Sequence, residues 1–221
     1  MKRKIITTAD GSKTIQIEDW NEQYHSTHGA IQEAYHVFIK NGLSLFQDQK
    51  VAIMEIGFGT GLNAFITFLE AEKYGLEVNY DGVEAYPVNE MEYSQLDYST
   101  ALKVEKFESI FLQMHKSLWN SPYKISDNFS LLKRKMDFRD ISDSEKFNLI
   151  YFDAFGSRVQ PELWTEEVFL MMYRALKVKG VLVTYAAKGA VRRAMQTVGF
   201  TVERLPGPPG KREMLRAVKE V

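Results

Sequence analysis

The sequence predicts an α/β protein: a Rossmann-like, seven-stranded, mostly parallel sheet with a small N-terminal extension. Three observations carry that expectation. Val51-Ala52-Ile53-Met54-Glu55-Ile56 is apolar apart from one acid and runs into Gly57-Phe58-Gly59-Thr60-Gly61, which reads as a strand, a tight turn and a helix start. Phe147-Asn148-Leu149-Ile150-Tyr151-Phe152 is apolar on both faces, as a central parallel strand should be, and ends on Asp153. Residues 201–205 and 214–218 are β-prone runs joined by Pro206-Gly207-Pro208-Pro209-Gly210, a terminal antiparallel pair.

The glycine turn organises the rest. Glycine is required where backbone takes positive φ or where a ligand approaches the main chain closely, so three glycines within residues 57–61 place a ligand there. A dinucleotide fingerprint would put its third glycine at position 62, which is Leu62. The form present, Glu55-x-Gly57-x-Gly59-x-Gly61, resembles motif I of class I S-adenosylmethionine-dependent methyltransferases. A carboxylate at Glu55 suits a ligand carrying an ammonium and a sulfonium better than one carrying phosphates.

The chain has 221 residues, 45% of them apolar and 13% aromatic, enough for a substantial core in one domain. It has no run of about 18 apolar residues and no apolar segment of signal-peptide type near Met1, so no membrane association and a cytoplasmic location are expected. The absence of cysteine excludes disulfides and thiolate metal sites. His25 and His28 are joined by only two other histidines, His36 and His115, which argues against a metal. The net charge of −1 conceals an asymmetry: residues 174–221 carry +8 and the remainder −9. A basic segment of that kind is a footprint for nucleic-acid phosphate, and a solvated surface would look similar.

Taken in order, 5–8 and 14–18 form a hairpin about Asp10-Gly11. The next segment, with Tyr24, His25, Ser26, Thr27 and His28 ahead of a helical pattern to Ile39, reads either as a roof over a pocket, which is favoured, or as an ordinary helix lead-in capped by Ser26 or Thr27. After the glycine turn, 62–69 continues a helix packed on the sheet. Residues 78–84 form a second strand whose terminal acid, Glu84, lies about thirty residues after Glu55 and is placed to accept from ribose hydroxyls. Glu77 and Asp81 are its rivals. Helices are expected over 88–98, behind Pro87, and over 106–119. A third strand over 129–136 ends on Asp137-Phe138, an acid to take an adenine amino group and a ring to stack; Lys133, Arg134 and Lys135 read as a strand end or an edge. The fourth strand delivers Asp153 to the same crevice as the glycine turn, because ligands sit outside the carboxyl ends of parallel strands. A helix over 163–177, a strand over 180–185 and a helix over 189–198 complete the pattern.

Glu55 through Asn63, Phe152-Asp153-Ala154-Phe155 with Pro161-Glu162-Leu163-Trp164-Thr165, Val191-Arg192-Arg193, and Gly207 with Gly210-Lys211-Arg212-Glu213-Met214-Leu215 together resemble the methyltransferase domain of the bacterial tRNA 5-methylaminomethyl-2-thiouridine biosynthesis enzymes. The departures, Gly156-Ser157-Arg158 after Phe155 and His25 in place of an aromatic, bear on the acceptor side. The resemblance implies a stand-alone form without the flavin oxidoreductase, divided into an extension over 1–48 and a methyltransferase domain over 49–221. It implies methyl transfer from S-adenosyl-L-methionine to the aminomethyl nitrogen on C5 of the wobble uridine, in the tRNA anticodon region. A separate enzyme would then supply the aminomethyl precursor, and a monomer is expected.

The cofactor residues so implied are Glu55, Gly57, Phe58, Gly59, Gly61, Asn63, Glu84, Asp137, Phe138 and Asp153. Asp153 orients the amine and relays its proton, Tyr24 and Phe155 shape the acceptor pocket, and Arg192, Arg193, Lys211 and Arg212 contact tRNA phosphate. A small-molecule amine methyltransferase and an aminopropyltransferase share the fold and are the alternatives.

Overall fold

The computed structural model describes residues 2–221. β1 (Arg3–Thr7) and β2 (Lys13–Ile17) pair antiparallel, with Arg3 opposite Ile17 and Thr7 opposite Lys13. Their turn is held by Asp10, whose Oδ1 accepts from the Thr8 hydroxyl at 2.7 Å and from the Ser12 amide at 3.1 Å, while Gly11 takes a φ of +83°. β3 (Glu22–Gln23) completes a three-stranded sheet, and α1 (Ala30–Ala34) runs on as a π-helical stretch to Lys40.

The main body follows as β4 (Lys50–Ile56), α2 (Leu62–Ala71), β5 (Glu77–Glu84), α3 (Glu90–Tyr93), α4 (Tyr98–Ala101), α5 (Glu108–Lys116), β6 (Pro122–Ser126) and β7 (Phe129–Lys135). It ends with β8 (Phe147–Phe152), α6 (Glu166–Ala175), β9 (Leu176–Thr184), α7 (Gly189–Thr197), β10 (Thr201–Pro206) and β11 (Glu213–Val218).

The sheet order is β10-β11-β9-β8-β4-β5-β7-β6, parallel from β9 through β7 and antiparallel at both ends. Successive strands step outward from β4 to β5 and β7, then return to β8 on its other side. The crevice outside the ends of β4 and β8 is therefore the topological switch point, where α/β sheets bind ligands. Both sheet faces are buried. Ile53, Leu149 and Tyr151 pack with the extension, α2 and α5; Met54, Ile150 and Phe152 pack with α6 and α7.

The mostly parallel α/β expectation holds, with one strand more than the seven expected. β6 was missed because Pro122, Tyr123 and Lys124 are all exposed, so an edge strand here carries no alternation. It displaces β7 from the edge, and Lys133 is buried rather than at a strand end. The Lys133 ammonium donates to the His115 carbonyl and lies 4.8 Å from the Trp119 ring centroid, and burial draws its pKa down to about 8. Of the helix expected over 88–98 only Glu90–Tyr93 forms, begun by an Asn89–Glu92 capping box, and a second short helix starts at Tyr98. The helix expected from Leu163 starts at Glu166, where the Thr165 hydroxyl caps it, and gives way to β9 at Leu176. No helix among the described residues is long and apolar enough to cross a membrane.

Candidate functional site

The chain leaves β4 through three left-handed glycines: Gly57, Gly59 and Gly61 have φ of +91°, +49° and +73°. A Cβ on Gly57 would lie 2.8 Å from the Asp153 carbonyl oxygen, and one on Gly59 would lie 2.9 Å from the Tyr24 ring. Only glycine fits either place. The turn is tied down from below, since the amides of Gly57 and Phe58 both donate to the Val83 carbonyl at 3.0 Å. Phe58 is buried against Gly82, its ring edge-on to His115 and Trp119. Its side chain thus supports the turn, and the residue is part of the crevice lining.

Acids converge on this turn from three strand ends. Asn63 Nδ2 donates to Glu55 Oε1 at 2.8 Å and to Asp153 Oδ2 at 2.7 Å, while Tyr80 donates its hydroxyl to Glu55 Oε2 at 2.8 Å. Burial, then the Asp153 charge, raises the Glu55 pKa well above the carboxylate range; burial, then the Glu33 charge, does the same for Asp153. Asn63 Oδ1 is buried without a partner in the protein. Glu84 accepts from the Gly59 amide at 3.0 Å and the Tyr86 amide at 2.8 Å, and burial raises its pKa as well. Its rivals lie elsewhere. Asp81 is paired to Lys146 at 2.7 Å, and Glu77, at the opposite end of β5, to Lys50 at 3.0 Å.

One crevice brings together Glu55, Gly57, Gly59, Asn63, Glu84, Asp137, Phe138, Asp153 and Phe155 with Tyr24 from the extension. Phe155 stands edge-on to Tyr24 at 4.9 Å and to Trp20 at 5.7 Å. The loop carrying Phe155 is fixed by Tyr185, which donates to the Ala154 carbonyl at 2.8 Å, and by Arg158, which donates to Glu22 at 2.7 Å. The roof meets the turn at His25, whose ring nitrogens lie 3.0 Å from the Thr14 hydroxyl and 3.4 Å from that of Thr60. Burial lowers the His25 pKa to about 4 and keeps the ring neutral at pH 7. Among the described residues no group of three or more His, Asp or Glu is arranged to hold a metal.

Several placements depart from the sequence reading or extend it. Asp137 holds the Arg139 guanidinium at 2.8 and 2.7 Å, which draws its pKa down to about 2, so only its remaining lone pairs are open to the crevice. Lys211, expected on phosphate, is turned inward: its ammonium pairs with the buried Glu33 and lies 3.8 Å from the Tyr185 ring centroid. Arg193 and Arg212 are exposed and Arg192 is half-buried. Sequence reasoning missed Arg3 and Trp20 as crevice residues. Neither closes an apolar run or lies in a glycine turn, and only the fold of the extension brings them there.

Sheet order, glycine turn and strand-end acids together define an α/β enzyme that takes a nucleoside cofactor. A family model described as S-adenosyl-L-methionine-dependent methyltransferase matches residues 105–220, more than half of the chain, and the protein belongs to that family. Its cofactor is S-adenosyl-L-methionine. The chain is 29% identical over 214 residues to the tRNA 5-methylaminomethyl-2-thiouridine biosynthesis bifunctional protein MnmC of Leptospira borgpetersenii serovar Hardjo-bovis (strain JB197), covering 89% of this chain and 32% of the relative. It is 27% identical over 212 residues to the protein of the same name from Nitrosospira multiformis, covering 89% and 34%. The chain thus spans about a third of the length of these curated relatives. Its fold matches the crystal structure of MNMC2 from Aquifex aeolicus with a TM-score of 0.74 at 24% identity, covering 98% of this chain and 70% of that one. The spermidine synthase of Thermotoga maritima shares the fold at a TM-score of 0.58 and 14% identity, covering 99% and 69%.

Proposed function

We propose that this methyltransferase methylates the aminomethyl nitrogen on C5 of the tRNA wobble uridine, giving 5-methylaminomethyl-(2-thio)uridine. The observation that carries the proposal is Asp153. It lies at the end of β8, joined through Asn63 to Glu55 and facing a mouth framed by Trp20, Tyr24 and Phe155. A carboxylate flanked by aromatic edges suits a base that carries an alkylamine. The names of the MnmC relatives support the same reading.

The residues fit the cofactor. Gly57 and Gly59 bring main chain to the crevice wall, the Glu55 carboxylate suits a cationic amino-acid end, and Glu84 suits the ribose diol. Bound there, the cofactor supplies an electrophilic methyl carbon on a sulfonium. The protein's task is to hold the acceptor nitrogen in line with that carbon at a near-attack distance of about 3 Å. That nitrogen must be neutral. An alkylamine with the lysine pKa of about 10.4 is less than about 0.1% neutral at pH 7. Burial in the crevice pushes the amine pKa down, in the useful direction, while Asp153 accepts one amine N–H and so fixes the direction of the lone pair. Asp153 would take the surplus N–H proton of the methylated amine and pass it to water, leaving a neutral secondary amine.

The test is transfer of labelled methyl from S-adenosylmethionine to bulk tRNA from cells lacking this modification, followed by nucleoside analysis. Label in 5-methylaminomethyl-uridine is the expected result. No transfer to tRNA, with cofactor binding intact, overturns the proposal in favour of a small-molecule amine acceptor; transfer of an aminopropyl group from the decarboxylated cofactor would move the protein to the other alternative.

A further inference from the structure

Trp20 and Phe155 stand edge-on at the acceptor mouth, one from the extension and one from the loop after β8. The two sides are held differently. The Phe155 side is pinned to the body: Tyr185 donates to the Ala154 carbonyl at 2.8 Å, Trp164 Nε1 to the Phe155 carbonyl at 2.8 Å, and Lys188 to the Ser157 hydroxyl at 2.9 Å. The Trp20 side is a tight turn ahead of β3, a strand of two residues. Asn21 takes a left-handed φ of +48°, a conformation that a non-glycine residue keeps only where its surroundings hold it. The bonds within the turn include the Asn21 amide to the Glu18 carbonyl at 3.2 Å and Gln16 Nε2 to Asn21 Oδ1 at 3.1 Å.

Arg158 joins the two sides. Its Nη2 donates to Glu22 Oε2 at 2.7 Å and to the carbonyls of Trp20 at 3.3 Å and Asn21 at 3.4 Å, 138 and 137 residues away in the chain. An exposed ion pair alone contributes little. A charged donor on two turn carbonyls does more, because it fixes the backbone from which the Trp20 ring leaves the chain. We infer that Arg158 is a positioning residue for the acceptor: it holds Trp20 at its 5.7 Å spacing from Phe155 and so sets the gap that the base enters. The inference rests on the proposed tRNA reaction for the identity of that base. An arginine 61% exposed beside an RNA mouth has a rival role, a contact to phosphate, and the two roles make opposite demands on Glu22. As a latch, Arg158 needs Glu22; as a phosphate ligand, it is weakened by Glu22.

The experiment measures methyl transfer to tRNA and S-adenosylhomocysteine affinity for the wild type, Arg158→Ala, Arg158→Lys, Glu22→Gln and the double variant of Arg158→Ala with Glu22→Gln. Each protein is also labelled with 5-fluorotryptophan, which gives one fluorine resonance for each of the three tryptophans, Trp20, Trp119 and Trp164. Arg158→Ala is expected to raise KM for tRNA about fivefold with kcat within about twofold, to leave cofactor affinity unchanged, and to shift the Trp20 resonance while that of Trp119 stays. Arg158→Lys, which keeps a charged donor, recovers part of the loss. Glu22→Gln raises KM in the same direction, and the double variant is no worse than Arg158→Ala alone. If Glu22→Gln lowers KM and Arg158→Ala reduces the salt slope by about 1, Arg158 is a phosphate ligand and the inference falls. Unchanged KM in both single variants, or a Trp20 resonance that does not move, overturns it as well. A wild type that transfers no methyl to tRNA overturns the tRNA reading instead, and the fluorine spectra then decide by themselves whether Arg158 holds Trp20.

Discussion

Asp153 is a carboxylate that its surroundings push toward protonation, and that fixes how pH acts on the free protein. Its folded pKa, like that of Glu55, lies above the unfolded value, so the stability involved is fully present below about pH 4 and is lost as pH rises through the raised pKa values. His25 and His115, lowered by burial to about 4 and about 3, act in the opposite sense, costing stability as pH falls below about 6.5. Comparing Asp153→Asn with the wild type cancels the histidines. The variant is expected to melt higher at pH 8, by a margin that shrinks toward pH 5, and to lose about a hundredfold or more in methyl transfer while binding S-adenosylhomocysteine within a few-fold. Turnover near the wild-type rate would remove Asp153 from the reaction. The acids were legible because strand ends are legible: Glu55, Glu84 and Asp153 each close an apolar run. Arg3 and Trp20 were not, since nothing local distinguishes them from any surface arginine or tryptophan.

At the scale of elements, the loop between β10 and β11 is bound to the extension. Lys211 pairs with Glu33, His36 bonds the Pro206 carbonyl at 2.7 Å, and the His28 ring packs on Gly210. Glu33 also accepts from the Ser26 amide at 2.9 Å, so the pair holds the roof segment itself. Lys211→Met leaves a buried carboxylate without its cation and is expected to destabilise the protein by about 3 kcal/mol, most of it recovered in the double variant with Glu33→Gln. Chemical denaturation decides it; a single variant as stable as the wild type would mean the pair contributes nothing. The sequence could not assign Lys211 correctly, because beside Arg212 it reads as part of a solvated basic run and its partner is 178 residues away. The hairpin at Asp10-Gly11 and the strand-turn-helix at Gly57 were legible because each is specified within a dozen residues. β6 and the break between α3 and α4 were not, because exposure and capping at those places replaced the periodic signal.

For the molecule as a whole, the charge asymmetry acquires a direction. The Lys188 ammonium, at the start of α7, bonds the Ser157 hydroxyl at 2.9 Å, so the helix carrying Arg192 and Arg193 begins beside the loop of Asp153 and Phe155. RNA phosphate held by that helix would flank a base entering the crevice. Arg192→Ala and Arg193→Ala are each expected to weaken tRNA binding and to reduce the slope of log affinity against log salt by about 1, with S-adenosylhomocysteine affinity unchanged. Slopes identical to wild type would move the RNA to another face. The clasp between residues 28–36 and 206–211 has a different consequence, in time. A ribosome delivers the glycine turn, the strand-end acids and the roof segment long before it delivers Lys211. The emerging chain therefore cannot form the contacts of Glu33, His36 and His28 until residues 206–211 have left the exit tunnel, so the segment ahead of α1 is fastened late.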